Sequence, residues 1–173
     1  RSYLRLRWKG GRGKLKRFAR MSSGSGARLT RYKQGNGETQ LKILIMGLPD
    51  SGKTTLGEKL SKKFNIPFWD ANTVREIYDD WDFSSRGRAR QSLRMRRLAE
   101  VDSMSISAFI APLPDYIRNF LPDKVIWMDT VKECKYEDTN KLFQSPQKYD
   151  VRIEKLGDDD EAFNLVRGYV AYW

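Results

Sequence analysis

The sequence predicts an α/β fold in three layers, a mostly parallel central sheet with helices on both faces. Three observations carry this. Apolar runs of strand length alternate with helix-periodic segments from residue 41 onward, which is the pattern of a parallel sheet with helical crossovers. A glycine-rich turn joins the first run to the first periodic segment. A chain of 173 residues is also long enough to bury a core as one domain. The elements follow in order. Residues 41–46, Leu-Lys-Ile-Leu-Ile-Met, read as a strand, and 54–64 as a helix with Leu56, Leu60 and Phe64 on one face. Residues 66–69 form a short apolar run, after which Asp70 is an expected N-cap for a helix over 71–79. Ser84 or Ser85 caps a long helix expected to reach about Val101. Residues 104–111 are β-like and end at Pro112 and Pro114. A short helical piece over 115–120 precedes a fourth strand at 124–129 and a fifth over 149–153. From Asp158 a helix would carry Ala162, Leu165, Val166 and Tyr169 on one face.

Charge divides the chain in two. The formal net charge is +11, and residues 1–40 hold 12 Lys and Arg against the single acid Glu38. Residues 41–173 are balanced, so the basicity belongs to the leader rather than to the domain. The leader, rich in Arg, Lys, Gly and Ser, has no helical apolar face. We expect a disordered tail or residues of an upstream reading frame, with an RNA-binding arm, a membrane contact or a targeting peptide as the alternatives. No apolar stretch approaches the roughly 20 residues that span a bilayer. The one cysteine, Cys134, allows no intramolecular disulfide and fits a reducing compartment, so a cytoplasmic location is expected. The absence of histidine excludes a Cys/His zinc site and any Ser-His-Asp or Cys-His machinery.

Ligands of such sheets bind beyond the carboxyl ends of the strands. That rule selects residues 47–54, 70–75, 111–114 and 129–143. The first of these reads Gly-Leu-Pro-Asp-Ser-Gly-Lys-Thr, a complete G-x-x-x-x-G-K-[ST] loop between a strand and a helix. Gly47 and Gly52 let the backbone curl so that its N–H groups face phosphate oxygens, and the helix N-terminus adds positive charge. Lys53 can reach the β- and γ-phosphates, and the Thr54 hydroxyl is placed for Mg²⁺. ATP with Mg²⁺ is therefore the expected ligand, in a fold of the P-loop nucleoside triphosphate hydrolase type. The contacts are assigned to Gly47, Asp50, Ser51, Gly52, Lys53, Thr54 and Thr55.

Two further segments carry information. Arginines stand at 86, 88, 90, 94, 96 and 97, with Arg86, Arg90, Arg94 and Arg97 on one helical face. Guanidinium forks suit phosphate or sulfate, although most of these arginines read more simply as a solvated face balanced by acids. Residues 137–143, Glu-Asp-Thr-Asn-Lys-Leu-Phe, follow a strand and an expected short helix. They read either as a lid bearing Lys141 or as an ordinary polar loop.

In this order, the segments resemble the adenylylsulfate kinase family over roughly residues 41–153. Residues 47–55 look like its phosphate loop. Trp-Asp-Ala-Asn-Thr-Val-Arg at 69–75 looks like its Asp-Gly-Asp-Asn-Val-Arg, and Phe83-Ser with Arg88 and Gln91 is similar to Gly-Phe-Ser-x-x-Asp-Arg-x-x-Asn. Phe-Ile-Ala-Pro at 109–112 resembles Phe-Ile-Ser-Pro, and residues 129–138 resemble Asp-Thr-Pro-x-x-x-Cys-x-x-Arg-Asp. The resemblance implies a kinase for the 3′-hydroxyl of adenosine 5′-phosphosulfate. Arg75 and Arg88 would hold the phosphosulfate, Phe83 would stack on adenine, and Ile110 would offer backbone contacts. Gln91 and Lys141 complete the implied acceptor set. Lys53 would neutralise the transferring phosphoryl, and Asp70, also at the acceptor, would be the nearest carboxylate to the hydroxyl.

The departures are specific. Asn72 replaces the family's second aspartate, Asn140 replaces the lysine of Lys-Gly-Leu-Tyr, and Glu137 replaces a lid arginine. The family's Gly-Phe-Thr-Gly lid segment, with its second stacking Phe, is absent. Two alternatives stand beside the leading expectation: a kinase for another nucleotide, nucleoside or small phosphorylated acceptor, and an ATP-binding module without turnover. The partner expected is a small nucleotide, with no membrane and with nucleic acid only through the leader. Homodimerisation is left open.

Overall fold

The computed structural model describes residues 40–171, so the expectations for the leader lie outside the described residues. Five strands form one parallel sheet: β1 (Leu41–Met46), β2 (Phe68–Asp70), β3 (Met104–Ala108), β4 (Lys124–Met128) and β5 (Val151–Ile153), in the spatial order β2-β3-β1-β4-β5. Six helices connect or follow them: α1 (Lys53–Phe64), α2 (Ala71–Tyr78), α3 (Ser85–Ala99), α4 (Pro114–Phe120), α5 (Glu137–Leu142) and α6 (Asp160–Val170). The α/β architecture, with its parallel sheet and P-loop arrangement, is the one the alternation predicts. Among the described residues no helix is long and apolar enough to cross a membrane.

The layers follow from the period of two in β1. Leu41, Ile43 and Ile45 join Leu56, Leu60, Ala162 and Val166 in a core on the α1/α6 face. Leu44 and Met46 join Val74, Met95, Tyr116 and Phe120 on the face of α2, α3 and α4. The strand is buried along its whole length, as a central parallel strand must be. Gly57 permits a close approach here, because a Cβ at that position would stand 2.2 Å from the Phe68 ring. The crossover after β1 thus runs over one face and the crossover after β3 over the other. Adjacent strands whose connections diverge leave a crevice at their carboxyl ends.

Several expected boundaries shift for physical reasons. The run expected to be β through Ala111 leaves the sheet after Ala108, and Ala111 adopts a left-handed backbone at φ 45°. Its apolar character reflects burial, not pairing: Phe109 packs edge-on against Phe120 at 5.4 Å. Helix α3 stops at Ala99, two residues short of Val101, where the Glu100 N–H closes the last turn on Arg96 O. No helix lies between β4 and residue 137, whereas the stretch read as lid or polar loop is itself helical as α5.

Candidate functional site

A cleft of about 620 Å³ opens at the carboxyl end of the sheet. Five walls line it: residues 49–55 apart from Ser51, the start of α2, the turn after β3, the segment entering α5, and Phe83 with the first half of α3. The first four fall at the four regions selected by the strand-end rule, and the fifth was expected only from the family resemblance.

The phosphate loop forms the floor. Asp50 is left-handed at φ 62° and Gly52 at φ 91°, and Ser51 N–H donates to Leu48 O at 3.3 Å. Gly47 turns directly under β4, where a Cβ would meet Met128 O at 2.4 Å. Gly52, the N-cap of α1, offers no side chain to the first-turn amides. Those N–H groups are therefore available to an anion. Lys53 Nζ rests on Leu48 O and on Ser51 Oγ at 3.3 Å. Burial lowers its pKa to about 8, with Asp70 and then Asp50 pulling the other way. A polyanion placed on the loop would restore the ammonium.

Asp70 ends β2 and caps α2. Its Oδ1 accepts from Asn72 N–H at 3.0 Å and from Thr73 N–H at 3.3 Å. Its Oδ2 accepts from Thr54 Oγ1 at 2.7 Å. Among the described residues no group of three or more His, Cys, Asp or Glu side chains converges on a metal. One hydroxyl beside one carboxylate nevertheless fits Mg²⁺, which takes its remaining ligands from substrate phosphates and water.

The other half of the cleft is cationic and aromatic. Arg75, 5 % exposed, donates through Nη1 to Asp80 O at 2.8 Å and Asp82 O at 3.1 Å, and lies 4.4 Å from the centre of the Phe83 ring. Burial lowers its pKa from the usual guanidinium value, yet the group remains a cation. Arg88, 7 % exposed, donates from Nε to Phe83 O at 2.8 Å and from Nη2 to Asp138 Oδ2 at 3.1 Å and Thr139 Oγ1 at 3.2 Å. Phe83 itself is 47 % exposed and lines the cleft between these groups. Gly87 keeps this corner tight, since a Cβ there would stand 2.2 Å from Asp82 O. Gln91 donates to Ala71 O at 3.2 Å, and Ile110 lines the third wall.

Of the expected site residues, the cleft brings together Asp50, Gly52, Lys53, Thr54, Thr55, Asp70, Arg75, Phe83, Arg88, Gln91 and Ile110. Gly47 and Ser51 shape the loop from beneath it. Lys141 does not line the cleft. It pairs with Glu137 at 2.6 Å on the outer side of α5. The arginine stripe separates as its simpler reading holds: Arg90 and Arg94 bind Asp80, Arg96 binds Glu100, and Arg88 turns inward. Sequence reasoning did not select Tyr116, Lys135, Tyr136, Asp138 and Thr139, which also line the cleft. Lys135, Tyr136, Asp138 and Thr139 all lay within the region 129–143 selected by the strand-end rule, but no role was assigned to them individually.

No family model matches the chain. It is 29 % identical over 139 residues to a shikimate kinase of Microcystis aeruginosa, covering 67 % of this chain and 68 % of that protein. Its fold is similar to that of the APS kinase of Mycobacterium tuberculosis in complex with AMPPNP and APS. The TM-score is 0.59 at 16 % identity, covering 78 % of this chain and 99 % of that one. A gluconokinase from Sinorhizobium meliloti gives a TM-score of 0.54 at 13 % identity, over 78 % and 93 % of the two chains. The fold is that of the P-loop kinases.

Proposed function

We propose that this chain is an ATP-dependent kinase that phosphorylates a hydroxyl of a small anionic nucleotide, the 3′-hydroxyl of adenosine 5′-phosphosulfate being the acceptor that fits best. The observation that carries the acceptor class is Phe83, half-exposed in the cleft, with the buried guanidiniums of Arg75 and Arg88 at 4.4 and 5.6 Å from its ring. An aromatic face beside two cations suits a flat base joined to an anionic tail.

The loop amides and Lys53 bind and orient the triphosphate. Arg75 and Arg88 orient the acceptor so that its hydroxyl oxygen faces the γ-phosphorus. Thr54 and Asp70 would hold Mg²⁺, which when bound neutralises charge on the β- and γ-phosphates. The acceptor oxygen bonds to the γ-phosphorus as the bond to the bridging oxygen breaks, and ADP leaves. The hydroxyl proton passes to Asp70, directly or through water. Asn72, an amide, takes no part in that transfer. Positioning and electrostatics supply most of the rate in such reactions, so a single modest base suffices.

The identity with a shikimate kinase supports a second reading, a hydroxy acid whose carboxylate pairs with the same two arginines. ADP formation from Mg-ATP, measured with adenosine 5′-phosphosulfate, shikimate, gluconate and AMP as separate acceptors, tests the assignment. The highest kcat/KM is expected for adenosine 5′-phosphosulfate. A preference for shikimate or gluconate would overturn the nucleotide acceptor and leave the kinase standing. ATP binding without transfer to any acceptor would overturn the kinase.

A further inference from the structure

Four cationic side chains line the cleft, Lys53, Arg75, Arg88 and Lys135, and three of them already have partners. Lys53 donates to Leu48 O and Ser51 Oγ. Arg75 is held by two carbonyls. Arg88 is held by a carbonyl, a carboxylate and a hydroxyl. Among the described residues Lys135 has no hydrogen-bond or ion-pair partner, and its ammonium lies 5.2 Å from the Tyr136 ring centre. The lysines around it are committed elsewhere, Lys132 to Asp129 at 2.8 Å and Lys141 to Glu137 at 2.6 Å.

The turn that carries Lys135 is fixed at both ends. Asn140 Oδ1 accepts from Cys134 N–H at 2.9 Å, and Asn140 Nδ2 donates to Cys134 O at 2.7 Å. Upstream, Thr130 Oγ1 donates to Ser51 O at 2.8 Å, which ties the segment after β4 to the phosphate loop. Lys135 is thus a cation without a hydrogen-bond or ion-pair partner among the described residues, on a braced turn that lines the cleft and whose segment is tied to the phosphate loop.

We infer that Lys135 is a catalytic residue, its ammonium meeting the oxygens of the γ-phosphoryl group during transfer. The inference rests on the donor half of the function proposed above. Negative charge spreads over the equatorial oxygens in that transition state, and a compact ammonium on a flexible stem can follow it. Leaving the Tyr136 ring costs little, because an exposed cation–π contact is weak.

The test measures ADP release from Mg-ATP, with and without adenosine 5′-phosphosulfate, for the wild type, Lys135→Met, Lys135→Arg and Lys141→Met. ATP affinity is measured in parallel by calorimetry. Lys135→Met should lower kcat roughly a hundredfold, the scale for losing one transition-state donor. Its ATP Kd should stay within about threefold, since the ground-state contacts belong to the loop. Lys135→Arg should recover most of the rate. A Lys135→Met variant with wild-type kcat, or an equal loss in Lys141→Met, overturns the inference. Phosphoryl transfer to water but not to adenosine 5′-phosphosulfate, with ADP released, refutes the acceptor and still reads Lys135, through that hydrolysis. A wild type that releases no ADP under either condition overturns both proposals.

Discussion

Replacing Arg88 with methionine separates the acceptor half of the site from the donor half. The side chain is nearly buried and donates to Phe83 O, Asp138 Oδ2 and Thr139 Oγ1. The Asp138 partner is 66 % exposed, so that ion pair contributes at most about 1 kcal/mol. The bonds to Phe83 O and Thr139 Oγ1 are charge-assisted and better shielded, with gross values of about 1.5–3 kcal/mol each. Methionine recovers the packing of the stem, and removing the charge also removes its desolvation cost. A net loss of about 2 kcal/mol is expected, or a Tm lower by roughly 5–10 °C for a domain of this size. The acceptor loses more. A charge-assisted contact to a desolvated anion is worth about 3 kcal/mol, which raises the acceptor KM by roughly a hundredfold. ATP affinity should not move, because Lys53 and Thr54 stand on another wall. Steady-state kinetics in adenosine 5′-phosphosulfate, with calorimetric titration of ATP, measure both. Arg88→Lys should fall between the two, lacking the planar fork. An unchanged acceptor KM in a folded variant, or a parallel loss of ATP affinity, would refute this division of the cleft.

Other outcomes follow from the same geometry. With the Lys53 pKa at about 8 in the free protein, ATP affinity should fall as pH rises through 8, by up to tenfold per unit, and Lys53→Ala should abolish that slope; titrations from pH 6.5 to 9.5 measure it. The depressed pKa also means the unfolded chain holds the extra proton, so this group adds stability as pH rises from about 8 toward 10.5, readable as a higher urea midpoint. Asp70→Asn keeps acceptors for the α2 cap and should change stability by less than about 0.5 kcal/mol while lowering kcat, whereas Asp70→Ala should cost about 1 kcal/mol in addition; chemical denaturation beside kinetics separates the two. Phe83→Ala should weaken a nucleotide acceptor by about 1–3 kcal/mol through lost stacking and leave ATP binding intact; competition binding with both ligands checks it.

The phosphate-loop wall of the cleft was legible because its signals are local. A strand of six residues, a loop of fixed spacing and a helix with Leu56 and Leu60 inward are all written within residues 41–64. The inward turn of Arg88 was expected from the family resemblance alone, not from helical spacing. Helical spacing groups Arg86, Arg90, Arg94 and Arg97, but only the fold brings Asp80 to Arg90 and Arg94 while leaving Arg88 facing the cleft. The run through Ala111 misled in a different way. Apolar composition reports burial, and Phe109 and Ala111 are buried in the core that includes Phe120 of α4, beyond the end of the strand. Lys141 and Lys135 show the same limit. Six residues apart on one polar segment, they are distinguished by the turn that Asn140 closes and by the Glu137 that occupies Lys141. The Glu137–Lys141 pair is an i,i+4 spacing that the sequence does carry, whereas the turn closed by Asn140 has no signature in periodicity.

The account stands or falls on where the γ-phosphoryl group goes. ATP labelled at that position is incubated with Mg²⁺, the protein and adenosine 5′-phosphosulfate, and the products are separated. The account expects the label on the ribose 3′-oxygen of the acceptor, formed in step with ADP. Label found only in inorganic phosphate, or carried instead by shikimate when both acceptors are offered, would contradict it.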